Sequence, residues 1–373
     1  MKTAFVIFSI LFSFIHCKED FNPIRKDSNQ LDSLNSFEIL DLFSTEMNPS
    51  VSCYRIPSII TAPNGTIIAA IDERVPSCAD LRANKNINIV ARFSEDNGKT
   101  WSDIQTIVDF PEGQSASDPS MILDKTTNEI FLFYNYMDLN IEKDIYYFHY
   151  VKSKDNGKTW SKPIDITKEI SLPGWEKDFK FITSGRGIQT ESGQLLHCLV
   201  NIQKGLHVFG SDDHGRSWYI IQKPITPADE SKIIERADGS WMINSRVSKI
   251  GKRFKHLSNN QGQNWKSFEE PQLPDPACNA SIIRFSLKKN GYPNDIMLFS
   301  NANSSSERKN MSIKFSYDEG ENWSEGLVIY QGSAAYSSMT ILPNGNIGLF
   351  FEKDDYSKNS FVSIHPSKIF NNQ

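Results

Sequence analysis

Nine side chains scattered between positions 55 and 352 carry chemistry that this chain could perform: Arg55, Arg74, Asp80, Asp118, Glu230, Arg246, Arg308, Tyr336 and Glu352. Arginine keeps its charge at any physiological pH and grips a carboxylate through two parallel N–H bonds. Several arginines facing one another therefore form a receptor for a carboxylate-bearing ligand. Taken singly, each of these charges is more often a solvated surface residue. The set has meaning only if the fold gathers it.

The elements that would gather it announce themselves by repetition. An octapeptide of the form Ser-x-Asp-x-Gly-x-Thr-Trp recurs five times, starting at Ser94, Ser153, Ser211, Ser258 and Ser316, at intervals of 47 to 59 residues. Such a period marks a repeat architecture whose units bury their apolar faces against one another. The motif itself is turn chemistry. An Asp carboxylate accepting backbone N–H groups two residues on, a Gly supplying positive φ, and a Trp to pack between sheets together make a hairpin turn. Interleaved with it are six apolar hairpins that begin at Ser58, Ser120, Gly187, Lys232, Ser281 and Ser338, and an octapeptide follows each of the first five. The unit is thus four antiparallel strands. The chain reads as all-β, a six-bladed β-propeller of four-stranded antiparallel blades. The sixth unit lacks the motif, and FEILDLF (Phe37 to Phe43) is expected to supply its outermost strand and so close the ring.

Strand direction then sorts the residues. The hairpin turns and the octapeptide turns fall on one face. The residues just before each first strand (Arg55, Asp118, Glu230, Tyr336) and just after each second strand (Arg74, Asp80, Arg246, Arg308, Glu352) fall on the other, around the axis. The conspicuous repeat is expected to stabilise blades, away from any site. The scattered residues are expected to share one pocket.

With these residues in view, the chain resembles the exo-α-sialidases (neuraminidases) of bacteria and eukaryotes, from about Phe37 to Phe361. YRIP (Tyr54 to Pro57), DERVPSCAD, SDPS, ESKIIERADGSWMINSR, SNANSSSERKN, AYSSMT and LFFE carry the resemblance. It implies that Arg55, Arg246 and Arg308 bind the substrate carboxylate, and that Tyr336 is the nucleophile with Glu230 as its base. It further implies Asp80 as acid/base, Glu352 as the support of Arg55, and Arg74 with Asp118 on the sugar's ring substituents. Sialic acid bears a carboxylate on its anomeric carbon, which would repel an Asp or Glu nucleophile. A neutral tyrosine avoids that repulsion, and a neighbouring carboxylate can draw off a proton whose ordinary pKa is about 10. The implied reaction is retaining, through a glycosyl-tyrosine. The implied substrates are sialylated glycoproteins, glycolipids or oligosaccharides, with no cofactor and no metal.

Net charge of −5 over 373 residues argues against a nucleic-acid partner. Residues 1–17 have the shape of a signal peptide, with Lys2 ahead of an apolar run from Ala4 to Ile15 that is too short to span a bilayer. Residues 18–36 would then be an N-terminal extension and 37–373 the catalytic propeller. The mature chain is expected in the extracellular space or in a secretory or lysosomal lumen, without a membrane span. Sequons at Asn64, Asn279, Asn303, Asn310 and Asn322 fit that route. Cys53, Cys78, Cys198 and Cys278 fit no zinc spacing and read mostly as buried thiols, although Cys53 and Cys78 each lie two residues before a site residue and a bridge between them is conceivable. The fourth octapeptide has Asn260 for Asp, which can still make the turn.

Two other functions share parts of this pattern. A trans-sialidase, transferring sialic acid to galactosides, needs an aromatic acceptor platform, for which Trp175 in SLPGWEKD is the loop tryptophan available. A non-enzymatic sialoglycan-binding propeller has no need of Tyr336, Glu230 and Asp80 together.

Overall fold

The computed structural model describes residues 37–370, so the expected signal peptide and extension lie outside the described residues. Among the latter the chain is almost entirely strand and turn, with one short α-helix, Pro366–Phe370, two single-turn 3-10 helices, Leu81–Ala83 and Lys288–Asn290, and no helix long and apolar enough to cross a membrane.

Strands Cys53–Thr61, Ile67–Arg74, Ile87–Ser94 and Gln105–Val108 pair in sequence order, each antiparallel to the next. Ser231–Glu235, Trp241–Ser245, Lys252–Ser258 and Lys266–Pro274 do the same. The second strand of the first sheet shows why these segments settle as strands. Ile68 and Ala70 enter one apolar cluster with Ile130 and Leu132, whereas Ile67, Ala69 and Ile71 enter another with Phe350 and Phe361. Alternate residues thus serve two cores, one on each face of the sheet, which is the period of a strand. Full burial of one such side chain is worth about 1.5–3 kcal/mol.

The last part of the chain forms one seven-stranded sheet. Its hinge is the 15-residue strand Leu327–Ile341. The first half of that strand pairs with Lys309–Ser316 and the second half with Ile347–Lys353. The N-terminal segment Ile39–Ser44 lies antiparallel on Lys358–Ile364, as FEILDLF was expected to do.

One inner strand departs from the four-stranded antiparallel plan. The segment before Leu195–Asn201 is broken into Lys180–Ile182, Gly185–Arg186 and Ile188–Gln189. The outer two pieces pair with Leu195–Asn201, but Gly185–Arg186 crosses to pair in parallel with Ser120 and Met121 of the neighbouring sheet. Gly187 permits the crossing, because a Cβ there would lie 2.5 Å from the Leu196 carbonyl oxygen.

The octapeptide turns are built alike, with one correction to the expected bonding. Asp96 Oδ1 accepts the N–H groups of Lys99 and Thr100 at 3.0 and 2.9 Å, three and four residues on rather than two. Thr100 Oγ1 donates to Asp96 Oδ2 at 2.6 Å, and Ser94 Oγ accepts Gly98 N–H at 2.9 Å. Trp101 then packs edge-on against Phe361 of the adjoining sheet, ring centroids 5.1 Å apart. In the fourth turn Asn260 Oδ1 still accepts Asn264 N–H at 3.0 Å, so the turn survives the substitution.

Cys53 and Cys78 form a disulfide across 5.5 Å between Cα atoms, which corrects half of the buried-thiol expectation; Cys198 and Cys278 are buried thiols. Asn279 is buried and hydrogen-bonded to Lys232 and Ser184, so its sequon is a core feature and not a surface one.

Candidate active site

Three first strands carry an irregularity at the end opposite the octapeptide turns. Pairing slips between Arg55 and Ser58, between Ser117 and Ser120, and between Ala334 and Ser337. Ile56 and Asp118, each preceding a proline, have φ of 69° and 62°. Positive φ is an outlier for a β-branched residue, and a residue before proline favours extended backbone. Such strain persists only where surrounding contacts hold it, and it clusters at functional sites. Here Glu352 supplies the contact: its Oε1 accepts the Ile56 N–H at 2.9 Å and Arg55 Nε at 2.7 Å, while Oε2 accepts the Tyr336 N–H at 3.1 Å. One buried carboxylate therefore fixes an arginine and a tyrosine from two strands. The Arg55 ion pair and these backbone donors hold its carboxyl below the usual range despite full burial.

These distortions open onto a cleft of about 380 Å³ lined by Arg55, Arg74, Asp80, Asp118, Glu230, Arg246, Arg308 and Tyr336. All eight expected lining residues thus meet in one place, with Glu352 beneath them. At the floor, the Tyr336 hydroxyl donates to Glu230, 2.7 Å from both carboxylate oxygens, and only 7 % of the tyrosine is exposed. Burial, and then the Glu230 charge, push the phenol well above its ordinary pKa, with Arg246 and Arg308 opposing. In the unliganded state the tyrosine is neutral. Arg246 Nη1 bonds both Glu230 and the Tyr336 hydroxyl, the latter at 3.2 Å, and its Nε lies 3.5 Å from Asp229. Arg308 is set by the Tyr356 hydroxyl at 3.1 Å and the Ala277 carbonyl at 2.8 Å. The guanidinium groups of Arg55 and Arg308 each stand 5.5 Å from the centre of the Tyr336 ring. Three cations thus surround the tyrosine.

Asp80 sits higher, on the loop tied down by the disulfide, with 74 % of its side chain exposed. Arg74 holds it: Nη1 bonds Asp80 Oδ1 at 2.8 Å and the Cys78 carbonyl at 3.0 Å, while Nε and Nη2 bond Asp72 at 3.2 and 3.0 Å. Although partial burial works the other way, Arg74 and the more distant Arg55 and Arg308 hold the Asp80 carboxyl below its usual pKa. Arg74 itself is almost wholly buried and most of its donors are occupied, so it acts as the clamp of the Asp80 loop. Asp118 accepts from Asn135 at 3.0 Å and donates its N–H to Asp72 at 2.9 Å. Burial, with Asp72 close by, raises the Asp118 carboxyl, so this buried pair shares fewer than two negative charges near neutrality.

The residues missed by sequence reasoning are mostly supports. Asp72 stands two positions before Arg74, on the same side of its strand, and Asp229 adjoins Glu230; both signals were available. Tyr356 lies 4.2 Å over Arg55 and bonds Arg308, from a turn in which Asp354, Asp355 and Tyr356 all have positive φ. Nothing local marks it. The apolar wall of the cleft, made by Tyr146, Phe179, Phe181 and Ile202, was also unforeseen. Trp175, the expected platform, is only 3 % exposed and packs edge-on against His207 within the apolar core. Among the described residues no three His, Cys, Asp or Glu side chains converge as metal ligands would.

Known proteins resemble this chain in sequence and in fold. Residues 77–349 match the model of the BNR repeat-like domain. The chain is 33 % identical over 329 residues to a sialidase of Micromonospora viridifaciens, covering 80 % of this chain and 50 % of that protein. It is 25 % identical over 400 residues to an exo-α-sialidase of Aspergillus fumigatus, covering 96 % of this chain and 95 % of the other. Among solved structures, the Hadza microbial sialidase Hz136 superposes with a TM-score of 0.79 at 26 % identity, over 86 % of this chain and 67 % of that one. The leech intramolecular trans-sialidase does so with a TM-score of 0.75 at 20 % identity, over 90 % and 71 %, a likeness of fold. The chain belongs to the exo-α-sialidase family. It spans half the length of the Micromonospora relative and 60 % of a Bacteroides fragilis sialidase.

Proposed function

We propose that this chain is a retaining exo-α-sialidase that releases terminal α-linked sialic acid from glycoproteins, glycolipids or oligosaccharides. In this reading the four-stranded units are six blades of one propeller over residues 37–373, the long strand Leu327–Ile341 serving two of them. The observation that carries the proposal is the buried Tyr336–Glu230 hydrogen bond set among Arg55, Arg246 and Arg308.

The arginines take the substrate carboxylate, whose arrival neutralises part of the positive field around Tyr336. Glu230 removes the phenolic proton as the tyrosine oxygen attacks the anomeric carbon, and the neutral ground state of the phenol avoids repulsion with the substrate anion. Asp80 donates a proton to the leaving oxygen. Water attacking the glycosyl-tyrosine then returns a proton to Asp80 while Glu230 gives its proton back to the departing tyrosine oxygen, and configuration is retained after two inversions. Arg74 opposes the protonated state of Asp80, so the first step favours acidic pH, and a bound anion near the arginines eases this opposition. The test is the leaving group. Asp80→Ala is expected to slow a sialyllactose far more than an aryl sialoside, whose phenolate departs without help; equal losses on both would overturn the acid role.

Hydrolysis is favoured over transfer to galactosides because Trp175 lies in the core and offers no acceptor platform. With excess lactose present, free sialic acid is the expected product, and sialyllactose in quantity would reverse the assignment. The Cys53–Cys78 disulfide supports an oxidising, secretory location for the chain.

A further inference from the structure

The inner strands end in a second cavity, of about 260 Å³, at the octapeptide-turn end and so opposite the cleft. Six segments line it: Cys53–Thr61, Gln114–Asp124, Gly185–Gln189, Ser231–Glu235, Ser281–Ser286 and Leu327–Ile341. About half of its lining is aliphatic, with Ile60, Leu123, Ile188, Ile234, Ile282 and Ile341 contributing, and the rest is polar or charged, including the guanidinium groups of Arg186, Arg236 and Arg284. Along the same segment Ser184 lines the catalytic cleft and Arg186, two residues on, lines the cavity. Between the two ends, Lys232 donates to Asn279 at 2.6 Å and Asn279 to Ser184 at 2.7 Å, a buried polar layer.

Arg186 differs from three other cations at this cavity. Arg284 is clamped to both oxygens of Glu319, each at 2.6 Å, Arg236 pairs with Glu321 at 3.3 Å, and Lys289 with Glu191 at 3.5 Å. Arg186 pairs with no carboxylate of the described residues. Its Nη1 donates to the Met339 carbonyl at 2.9 Å, and its buried Nε has no acceptor. Burial alone draws its pKa down to about 10, which leaves it charged at neutral pH. A guanidinium with no carboxylate partner is a site to which an anion can come. The crossed segment Gly185–Arg186 is the backbone device that puts it there.

We propose that this axial cavity binds a small organic monocarboxylate, its carboxylate on Arg186 and its short hydrocarbon body against the isoleucines. The isoleucines and leucines of the lining match a hydrocarbon, and Arg186 matches a single carboxylate. The volume is below that of a drug-sized ligand pocket, which limits the body to a short chain.

The experiment is thermal unfolding of the full chain titrated with acetate, butyrate, hexanoate and sulfate at constant ionic strength. Hexanoate is expected to raise the midpoint most in the wild type, and equally in Arg308→Gln, which removes one anchor of the catalytic cleft. Arg186→Gln is expected to weaken the hexanoate response about tenfold or more while turnover stays at the wild-type level. Arg186→Lys should retain part of the response. Ile341→Phe narrows the cavity with the cation intact and should also weaken it, which decides the matter if Arg186→Gln does not fold. A response that survives both Arg186→Gln and Ile341→Phe, vanishes in Arg308→Gln, favours sulfate over hexanoate, or is absent throughout overturns the proposal.

Discussion

The two ends of the inner strands differ in how they hold arginine, although Arg284 and Arg236 at the turn end are paired with carboxylates too. At the cleft end, Arg55 and Arg74 are locked on buried carboxylates, Arg246 on Glu230 and Arg308 on a tyrosine and a carbonyl. At the turn end, Arg186 is left without an anion. Backbone regularity is also divided. The cleft end carries slipped registers and positive φ at Ile56 and Asp118, each before a proline, whereas the positive φ of the turn end, at Asn97, Asn156, His214, Gln261 and Glu319, belongs to one repeated hydrogen-bonded octapeptide. Strain before proline and ion pairs around one tyrosine gather where chemistry is proposed, and satisfied local turns gather at the other end of the sheets. The division is a physical one. A turn closes its own hydrogen bonds within five residues, while a site must be held open by groups brought from far along the chain.

If that contrast is right, substitutions at the cleft end should remove activity without unfolding the protein. The largest effect is expected for Tyr336→Phe, with kcat on an aryl sialoside down by about 10³-fold or more while the far-ultraviolet spectrum and melting midpoint hold. Turnover close to wild type in that variant would remove the nucleophile from the mechanism. Glu230→Gln loses the base but keeps a hydrogen-bond acceptor for Tyr336, and a drop of about 10²-fold in kcat is expected. Removing the disulfide with Cys53→Ser and Cys78→Ser frees the loop that carries Asp80. A lower melting midpoint, from a loss of about 2–4 kcal/mol, should come with a fall in kcat greater than any rise in KM. Unchanged kinetics there would show that Arg74 alone positions Asp80.

Changes at the turn end should do the reverse. Ser94→Ala removes the acceptor of the buried Gly98 N–H, and stability should fall by about 1 kcal/mol with kcat unaltered. The smallest effect is a pH dependence. Asp96, Asp155 and Asp213 are held at about 2, chiefly by hydroxyl and backbone donors four residues on. A carboxyl depressed in the folded state stabilises above its unfolded pKa of about 4 and loses that contribution as pH falls toward 2. Asp213→Asn should therefore flatten the decline of the melting midpoint over that window. An equally steep decline in the variant would place the acid sensitivity elsewhere.

Much of this was legible before any coordinates, for identifiable reasons. The octapeptides are read from local turn chemistry, and their spacing sets the phase of the strands that deliver Arg55, Tyr336 and Glu230 to a common end. Trp175 was misjudged because Pro173 and Gly174 make its surroundings look like a surface loop, while its burial depends on His207 and on aromatic residues of neighbouring sheets. The break at Gly185–Arg186 was invisible for a similar reason. By its sequence this hairpin starts at Gly187, and nothing local shows that the two residues before it pair with a different sheet.

What the sequence determined by itself was the repeating strand unit, the turns that end it and the inventory of reactive side chains, because each depends on residues within a few positions of one another. Only the tertiary structure decided that Glu352 would brace both Arg55 and Tyr336, that Arg74 would clamp the Asp80 loop, and that Arg186 would face a cavity with no carboxylate partner among the described residues. Those outcomes depend on which buried charges meet across sheets, and the cost of burying a charge is set by neighbours that no local pattern names.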